Sequence, residues 1–375
     1  MKSNRKGNAA LIALLVVIII VGIGAIVMLL AGRNSIDETE KFQNSSKGGN
    51  NQVTTQVTQV TEPEKPKEVN LYCKKDPSFK QTNIKGFTAA ASIIGDLDSD
   101  TILAGSSMDS RCYPASLTKI MTILVACENI KSYDDTYTFK DTDFTKLVEE
   151  DASMAGFKAG ETVPAKDLLY GAILPSGADA AVGLANMAAG SEAAFVKLMN
   201  QRAKELGLKN TNFTNVSGIH NPNHYSTVND MLVIMKVAYH NVTCRNVLNT
   251  FDYTTSKTSQ NPEGIHLTCL LGGRLQGFFI DKNGNGENDD TAKVQGGKTG
   301  FTNDAKSCIA TYCYDSETEH TYVCVLTKCA STEQSISEMM SMYEKYLPGS
   351  KAKIPDATTA AATTTTAAAT TTKAA

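Results

Sequence analysis

Arg111-Cys112-Tyr113-Pro114-Ala115-Ser116-Leu117-Thr118-Lys119-Ile120-Met121-Thr122 opens a stretch that stays largely apolar as far as Ile130. The pattern predicts a buried helix over Ser116–Ile130, entered just after Pro114. Residues three apart share a helix face, so the Lys119 ammonium reaches the Ser116 hydroxyl. Ile120, Met121, Ile123, Leu124 and Val125 leave that lysine poorly solvated, which lowers its pKa toward that of a useful base. The helix N-terminus adds the positive end of a dipole and free N–H groups for a developing oxyanion. Ser-x-x-Lys by itself says little. Ser3/Lys6 and Ser350/Lys353 repeat it, and an N-cap serine before a surface lysine has the same spelling.

Two further motifs follow in order. Ser176 lies in Leu174-Pro175-Ser176-Gly177-Ala178-Asp179, a break between helical stretches that aims a hydroxyl where it can relay a proton to a leaving amine. A plain Pro-Ser-Gly turn would look alike. Gly296-Gly297-Lys298-Thr299-Gly300 precedes the last two strands. Its glycines let a substrate backbone lie close, Lys298 offers a point charge to a carboxylate, and Thr299 adds a hydroxyl. A phosphate loop needs an earlier glycine and a following helix; position 292 is Ala and strand-like residues follow. The three motifs together describe acyl transfer on a peptide that ends in a free carboxylate.

The nucleophile segment resembles that of serine-type D-alanyl-D-alanine carboxypeptidases, the low-molecular-mass penicillin-binding proteins. So do Leu174-Pro175-Ser176-Gly177 with Asp179-Ala180-Ala181, His224-Tyr225-Ser226-Thr227 with Asp230, and Gly297-Lys298-Thr299-Gly300-Phe301-Thr302. The likeness runs from about Ala89 to Leu347. It implies a β-lactamase-like α+β fold and removal of the terminal D-Ala from peptidoglycan stem peptides, with β-lactams as inhibitors and no cofactor. On that resemblance Ser116 is acylated, Lys119 is the base and Ser176 relays protons. Lys298 and Thr299, with Gly300 and Phe301 on the same strand, bind substrate, and the N–H groups of Ser116 and Phe301 form the oxyanion hole. Ala178 departs from the family pattern, which has Asn there and so an amide toward substrate and Lys119. The alternatives are a β-lactamase-type hydrolase, which would need a Glu-x-x-Leu-Asn loop absent here, and a non-catalytic peptidoglycan-binding relative.

Outward from these motifs the chain divides by composition. Lys2, Arg5 and Lys6 (flank 1–8) precede the uncharged run Ala9–Gly32, which as a helix spans ~36 Å, enough for a bilayer. The basic flank should stay inside, giving a single-pass anchor, or an uncleaved signal, with an extracytoplasmic catalytic domain. Residues 33–70 are polar and predict a flexible stalk, 71–348 one folded domain, and 349–375 an Ala/Thr-rich tail. Net charge is −3 and 20% of residues are charged, with no basic footprint for nucleic acid. Thr88–Gly95 and Thr101–Ala104 predict a hairpin; Thr162–Leu174, Ser191–Leu206 and Thr227–His240 predict helices. Strands Ser307–Tyr314 and Thr321–Lys328 and a helix Thr332–Tyr346 close the domain. Strands at both ends with helices between predict an antiparallel sheet flanked by a mostly helical subdomain.

Nine cysteines in an exported chain invite disulfides. If the closing hairpin is centred between Thr318 and Glu319, Cys308 faces Cys329 and Cys313 faces Cys324, on opposite faces of the sheet. That register predicts juxtaposed pairs open to oxidation and argues against one zinc site. Asp281, Asn283 and Asn285 with Gly286 spell the start of a calcium loop, but position 12 is Ala292; a solvated insertion is the preferred reading. His220 and His224 have no partner at a metal-ligand spacing and are expected to be loop histidines.

Overall fold

The computed structural model describes residues 71–272, 279–287 and 290–357. The flank 1–8, the expected membrane anchor 9–32, the expected stalk 33–70 and the tail beyond 357 lie outside the described residues. Among the described residues no helix is long and apolar enough to cross a membrane.

Strands β1 (Lys74–Gln81), β2 (Ala91–Asp96) and β3 (Thr101–Ser106) lead the fold. Helix α1 (Thr118–Asn129) follows, then strand β4 (Thr136–Thr138), the short helix α2 (Thr145–Glu149) and strand β5 (Thr162–Pro164), which pairs with β4. Helices α3 (Ala165–Ile173), α4 (Ala178–Ala189), α5 (Glu192–Glu205), α6 (Val228–His240) and α7 (Val242–Leu248) complete the helical part. A second small ribbon, β6 (Asp252–Thr254) with β7 (His266–Thr268), leads to β8 (Ala292–Thr302), β9 (Lys306–Asp315), β10 (His320–Cys329) and helix α8 (Thr332–Tyr346). Six strands form one sheet in the order β1-β3-β2-β10-β9-β8, antiparallel except for β1 beside β3. The α+β class and the joining of terminal strands in one sheet agree with the sequence.

Every residue of α1 from Thr118 to Ala126 is buried, because an apolar helix without a polar face has to be covered all round. It sits among α3, α4, α5, α6 and α7 and is the hub of the helical part. Helices α5, α6 and α8 start where the sequence places them, since Ser191, Thr227 and Ser331 each accept an N–H from the first turn; such caps contribute ~1 kcal/mol apiece. The two faces of the sheet are covered by different helices. Tyr312 Oη donates to Met235 O of α6 at 2.7 Å, and the adjacent Thr311 pairs its hydroxyl with Tyr343 of α8 at 3.0 Å.

Four sequence expectations are corrected. Residues 162–164 are strand β5, and α3 starts only at Ala165, because Pro164 is held extended (φ −70°, ψ 151°). β1 was not expected: Lys74-Lys75-Asp76-Pro77-Ser78 has no alternation of apolar residues. Residues 349–357 are not the start of the tail, since Lys351 and Ala352 donate to Lys282 O and Lys85 donates to Pro355 O. The closing hairpin is displaced by one residue at its centre. Asp315 belongs to β9 and faces His320, so the turn is Ser316–Glu319, with Glu319 left-handed at φ 59°. Cys313 therefore faces Tyr322 and Cys324 faces Thr311, while a bulge at Lys328 (φ 60°) brings Cys329 opposite Ser307. The opposed cysteine pairs do not exist, and all nine cysteines are free thiols.

Asp315 explains the shift. Its carboxylate is fully buried and accepts from Lys282 Nζ (2.6 Å), Thr291 Oγ1 (2.6 Å) and Glu317 N (3.1 Å), so a residue that looks turn-like is committed to the strand. Lys282 is itself 3% exposed and also reaches Glu317 at 2.8 Å. Asp315→Asn keeps the shape and leaves the buried ammonium with one solvated partner. The expected loss is about 3 kcal/mol of stability, measured as a lower urea midpoint, with little effect on Glu317→Gln by comparison.

Candidate active site

Ser116 sits in a single 3-10 turn, Ala115–Leu117, that runs directly into α1. The turn starts under strain: Ala115 has φ 48°, a left-handed conformation that costs a non-glycine residue on the order of 1 kcal/mol. The expected face-sharing is present, with Lys119 Nζ donating to Ser116 Oγ at 3.0 Å and to Ser217 O at 2.8 Å. Among the described residues no ion pair reaches Lys119, which is 2% exposed. Burial, then the charge of Lys298, holds its pKa well below the usual lysine range, with Asp179 opposing. A larger share of neutral amine at neutral pH makes Lys119 suited to accept the Ser116 proton.

Ser176 also takes a left-handed backbone, φ 65°, and lies just before α4. Its hydroxyl accepts from Lys298 Nζ at 2.9 Å, and Lys298 also donates to Thr299 O at 2.7 Å. Lys298 is buried, and burial pulls its pKa down to about 8. The third N–H of the ammonium is the one left for a carboxylate. β8 carries Lys298, Thr299, Gly300 and Phe301 past the nucleophile: a Cβ built on Gly300 would lie 2.9 Å from Ser116 N. Only glycine lets the strand come that close. The N–H groups of Ser116 and Phe301 are thereby on neighbouring elements.

A cavity of about 470 Å³ opens over this group, lined by Ser116, Lys119, Ala178 and Phe301, by 150–153, and by 217–220 with Asp304. Ser176, Lys298 and Thr299 are buried beside it and do not line it. All the motif residues are thus brought together, in two hydrogen-bonded pairs. The calcium-loop residues are not part of the group. Asp281 accepts N–H bonds from Gly284, Asn285 and Gly286, and Asn283 accepts from Asn285, which closes the loop on itself. One other cluster has metal-ligand spacing, Asp96, Asp98 and His320, but Asp96 already holds His320 at 2.7 Å and Asp98 holds Thr321 N at 2.6 Å.

Sequence reasoning missed the support around the pairs. Asp179 is buried and accepts N–H bonds from Ala155 (2.7 Å), Gly156 (3.0 Å) and Phe157 (3.2 Å), tying a loop that no motif marks to the base of α4. Burial outweighs those donors and raises its carboxyl pKa. Gly218, at φ +86°, passes Ala115 so closely that a Cβ would fall 1.9 Å from Ala115 O, which is how Ser217 O reaches Lys119. His224 is a buried loop histidine as expected, yet it has a task. Thr214 N–H points at Nδ1 (3.2 Å), so the ring proton is on Nε2 and faces Thr118 Oγ1 at 2.7 Å. Burial lowers its pKa to about 4, keeping it neutral. His220 lies on the rim, 3.6 Å from Asp304.

The family model described as D-alanyl-D-alanine carboxypeptidase matches residues 78–327. The chain is 33% identical over 237 residues to the D-alanyl-D-alanine carboxypeptidase DacF of Bacillus subtilis, covering 61% of this chain and 55% of that protein. To the D-alanyl-D-alanine carboxypeptidase of Streptomyces sp. strain K15 it is 34% identical over 217 residues, 56% of this chain and 70% of that one. The chain spans about half the length of the first of these relatives. The crystal structure of the Streptomyces K15 DD-transpeptidase superposes with a TM-score of 0.59 at 27% identity, covering 70% of this chain and 98% of that one. A D-alanyl-D-alanine carboxypeptidase structure from Mycobacterium tuberculosis H37Rv gives 0.59 at 25% identity, covering 70% and 93%.

The close pass of β8 gives a direct test of the geometry. Gly300→Ala places a methyl against Ser116 N, so β8 or the nucleophile turn must move. Reaction of Ser116 with an electrophilic acyl probe should slow by about two orders of magnitude, the scale of losing one oxyanion donor. The urea midpoint should fall by less than the rate does, since the methyl meets only the nucleophile turn, at Ser116 N, Ala115 and Pro114 O.

Proposed function

The chain belongs to the D-alanyl-D-alanine carboxypeptidase family, and from that premise we propose that it is a serine D,D-peptidase. Its substrate is a peptidoglycan stem peptide, from which it removes the terminal D-alanine through an acyl-enzyme on Ser116. Penicillins acylate the same serine. The observation that carries this reading is the double pairing, Lys119 Nζ on Ser116 Oγ at 3.0 Å and Lys298 Nζ on Ser176 Oγ at 2.9 Å. A lone Ser–Lys pair has many explanations; one pair lining the cavity and a second buried beside it supply a base, a relay and a cation at once.

In this reading neutral Lys119 takes the proton as Ser116 Oγ attacks the penultimate carbonyl. The developing oxyanion is met by the N–H groups of Ser116 and Phe301. Lys119 gives that proton up by way of the Ser176 hydroxyl to the departing amine of D-alanine, whose carboxylate rests on Lys298 and the Thr299 hydroxyl, and is neutral again. Water then attacks the acyl-enzyme with Lys119 again as base. The uncharged run 9–32 is the membrane anchor in this proposal, and it holds the catalytic domain on the extracytoplasmic side, where stem peptides are.

Fluorescent penicillin is the experiment. It should label the protein covalently, and Ser116→Ala should abolish labelling. Lys119→Ala should slow acylation by orders of magnitude with the domain still folded, and normal acylation by that variant at neutral pH would remove Lys119 from the mechanism.

The two depressed lysines give the pH dependence its shape. Below its own lowered pKa Lys119 is an ammonium and cannot accept a proton, so kcat/KM rises as pH passes that point. Above about 8 Lys298 loses its charge and with it the carboxylate. An alkaline limb near pH 8 is expected for a substrate with a free C-terminus. Lys298→Gln should remove that limb, and should harm the free peptide far more than one amidated at its C-terminus; equal losses would make Lys298 structural.

A further inference from the structure

We propose that Ser153 is a substrate-binding residue whose hydroxyl holds the peptide on the edge facing away from β8. The proposal rests on the D,D-peptidase reading above. β8 is the outermost strand of its sheet and pairs only with β9 along Gly296–Thr302. A peptide whose carboxylate lies at Lys298 and Thr299 and whose reacting carbonyl lies at Phe301 N runs along that edge as an added strand. Hydrogen bonds to β8 satisfy one edge of the peptide backbone. The other edge leaves water as well, and its groups need partners too.

Besides Phe301 and Thr302 of β8, the cavity has a wall made by 150–153 and Ala178. Most of its polar groups are taken or are of the wrong kind. Ala178 offers a methyl, and its N–H is already given to Ser153 O at 2.7 Å. Glu150 and Asp151 are exposed carboxylates, which accept and do not donate. Ser153 is exposed and lines the cavity; its hydroxyl can donate and makes no hydrogen bond to the described residues.

Its position is fixed in advance. Ser153 O is bonded to the first residue of α4, and two residues on, Asp179 grips the N–H groups of Ala155, Gly156 and Phe157. Phe157 is buried and stacks on Phe139 with centroids 5.5 Å apart. A backbone so tethered needs little ordering at the moment of contact, and only the Ser153 side-chain rotamer is left to fix. The hydroxyl donates to a backbone carbonyl of the peptide upstream of the scissile bond.

The test compares full-length wild type with Ser153→Ala and Ser153→Thr, using a D-Ala-D-Ala-terminated pentapeptide. Ser153→Ala should lower kcat/KM by about tenfold, the scale of one lost neutral hydrogen bond, with the thermal midpoint unchanged. Ser153→Thr, which keeps the hydroxyl, should recover most of that loss. Full turnover by Ser153→Ala, or equal losses in both variants, would overturn the role of the hydroxyl. Penicillin labelling of wild type at Ser116 reports on the parent reading separately. If wild type is not labelled, both proposals fall; if it is labelled and Ser153→Ala is fully active, only this one does.

Discussion

The structure depends on an amine being kept where its charge is costly. Lys119 lies on a helix buried on every side, and an ammonium moved from water into such surroundings either finds oxygen partners or gives up its proton. Here it has two oxygens, a hydroxyl and a carbonyl, and among the described residues no ion pair. Both features need close packing around one turn. Gly218 has to pass over Ala115, Gly300 has to pass over Ser116, and Ala115 has to adopt a left-handed backbone. Relief of any one of these would move the serine, the amine or the strand away from the other two.

Lys298 repeats the theme at lower intensity. It is also buried, and its charge is one reason the Lys119 pKa falls. The Lys298 charge thus helps to keep Lys119 neutral, while the Lys298 pKa is lowered by its own burial. Asp179 is the counterweight. It opposes the loss of the Lys119 proton, while its oxygens are occupied in holding a loop. One side chain therefore sets part of the electrostatics and part of the shape.

How legible this was in the sequence varied with the kind of signal. The hub helix, the capped helices and the last strands were visible because apolar spacing and cap residues are local. The three motifs were visible because their residue types are needed together. β1 was hidden by its polarity: only Cys73, just before it, is well buried, and most of its own residues are exposed. The hairpin register was misjudged because Asp315 looks like a turn residue and behaves as a buried ion-pair partner. The loop 150–157 was invisible for another reason. Its backbone N–H groups do the binding, and backbone groups leave no mark in residue type.

The sheet ends in two edges, and the protein defends them by different means. β1 is protected by composition: Lys74, Lys75, Lys80 and Pro77 make it a poor template for a passing strand. β8 has no such option, because charging or blocking Lys298–Phe301 would close it to an extended peptide of any kind. Its protection is architectural. The nucleophile turn stands against Gly300 and the 150–153 wall stands across the cavity, so one thin chain can slide in while a second sheet cannot dock. What crowds that edge at Gly300 is thus the nucleophile turn and not the charge of the surface.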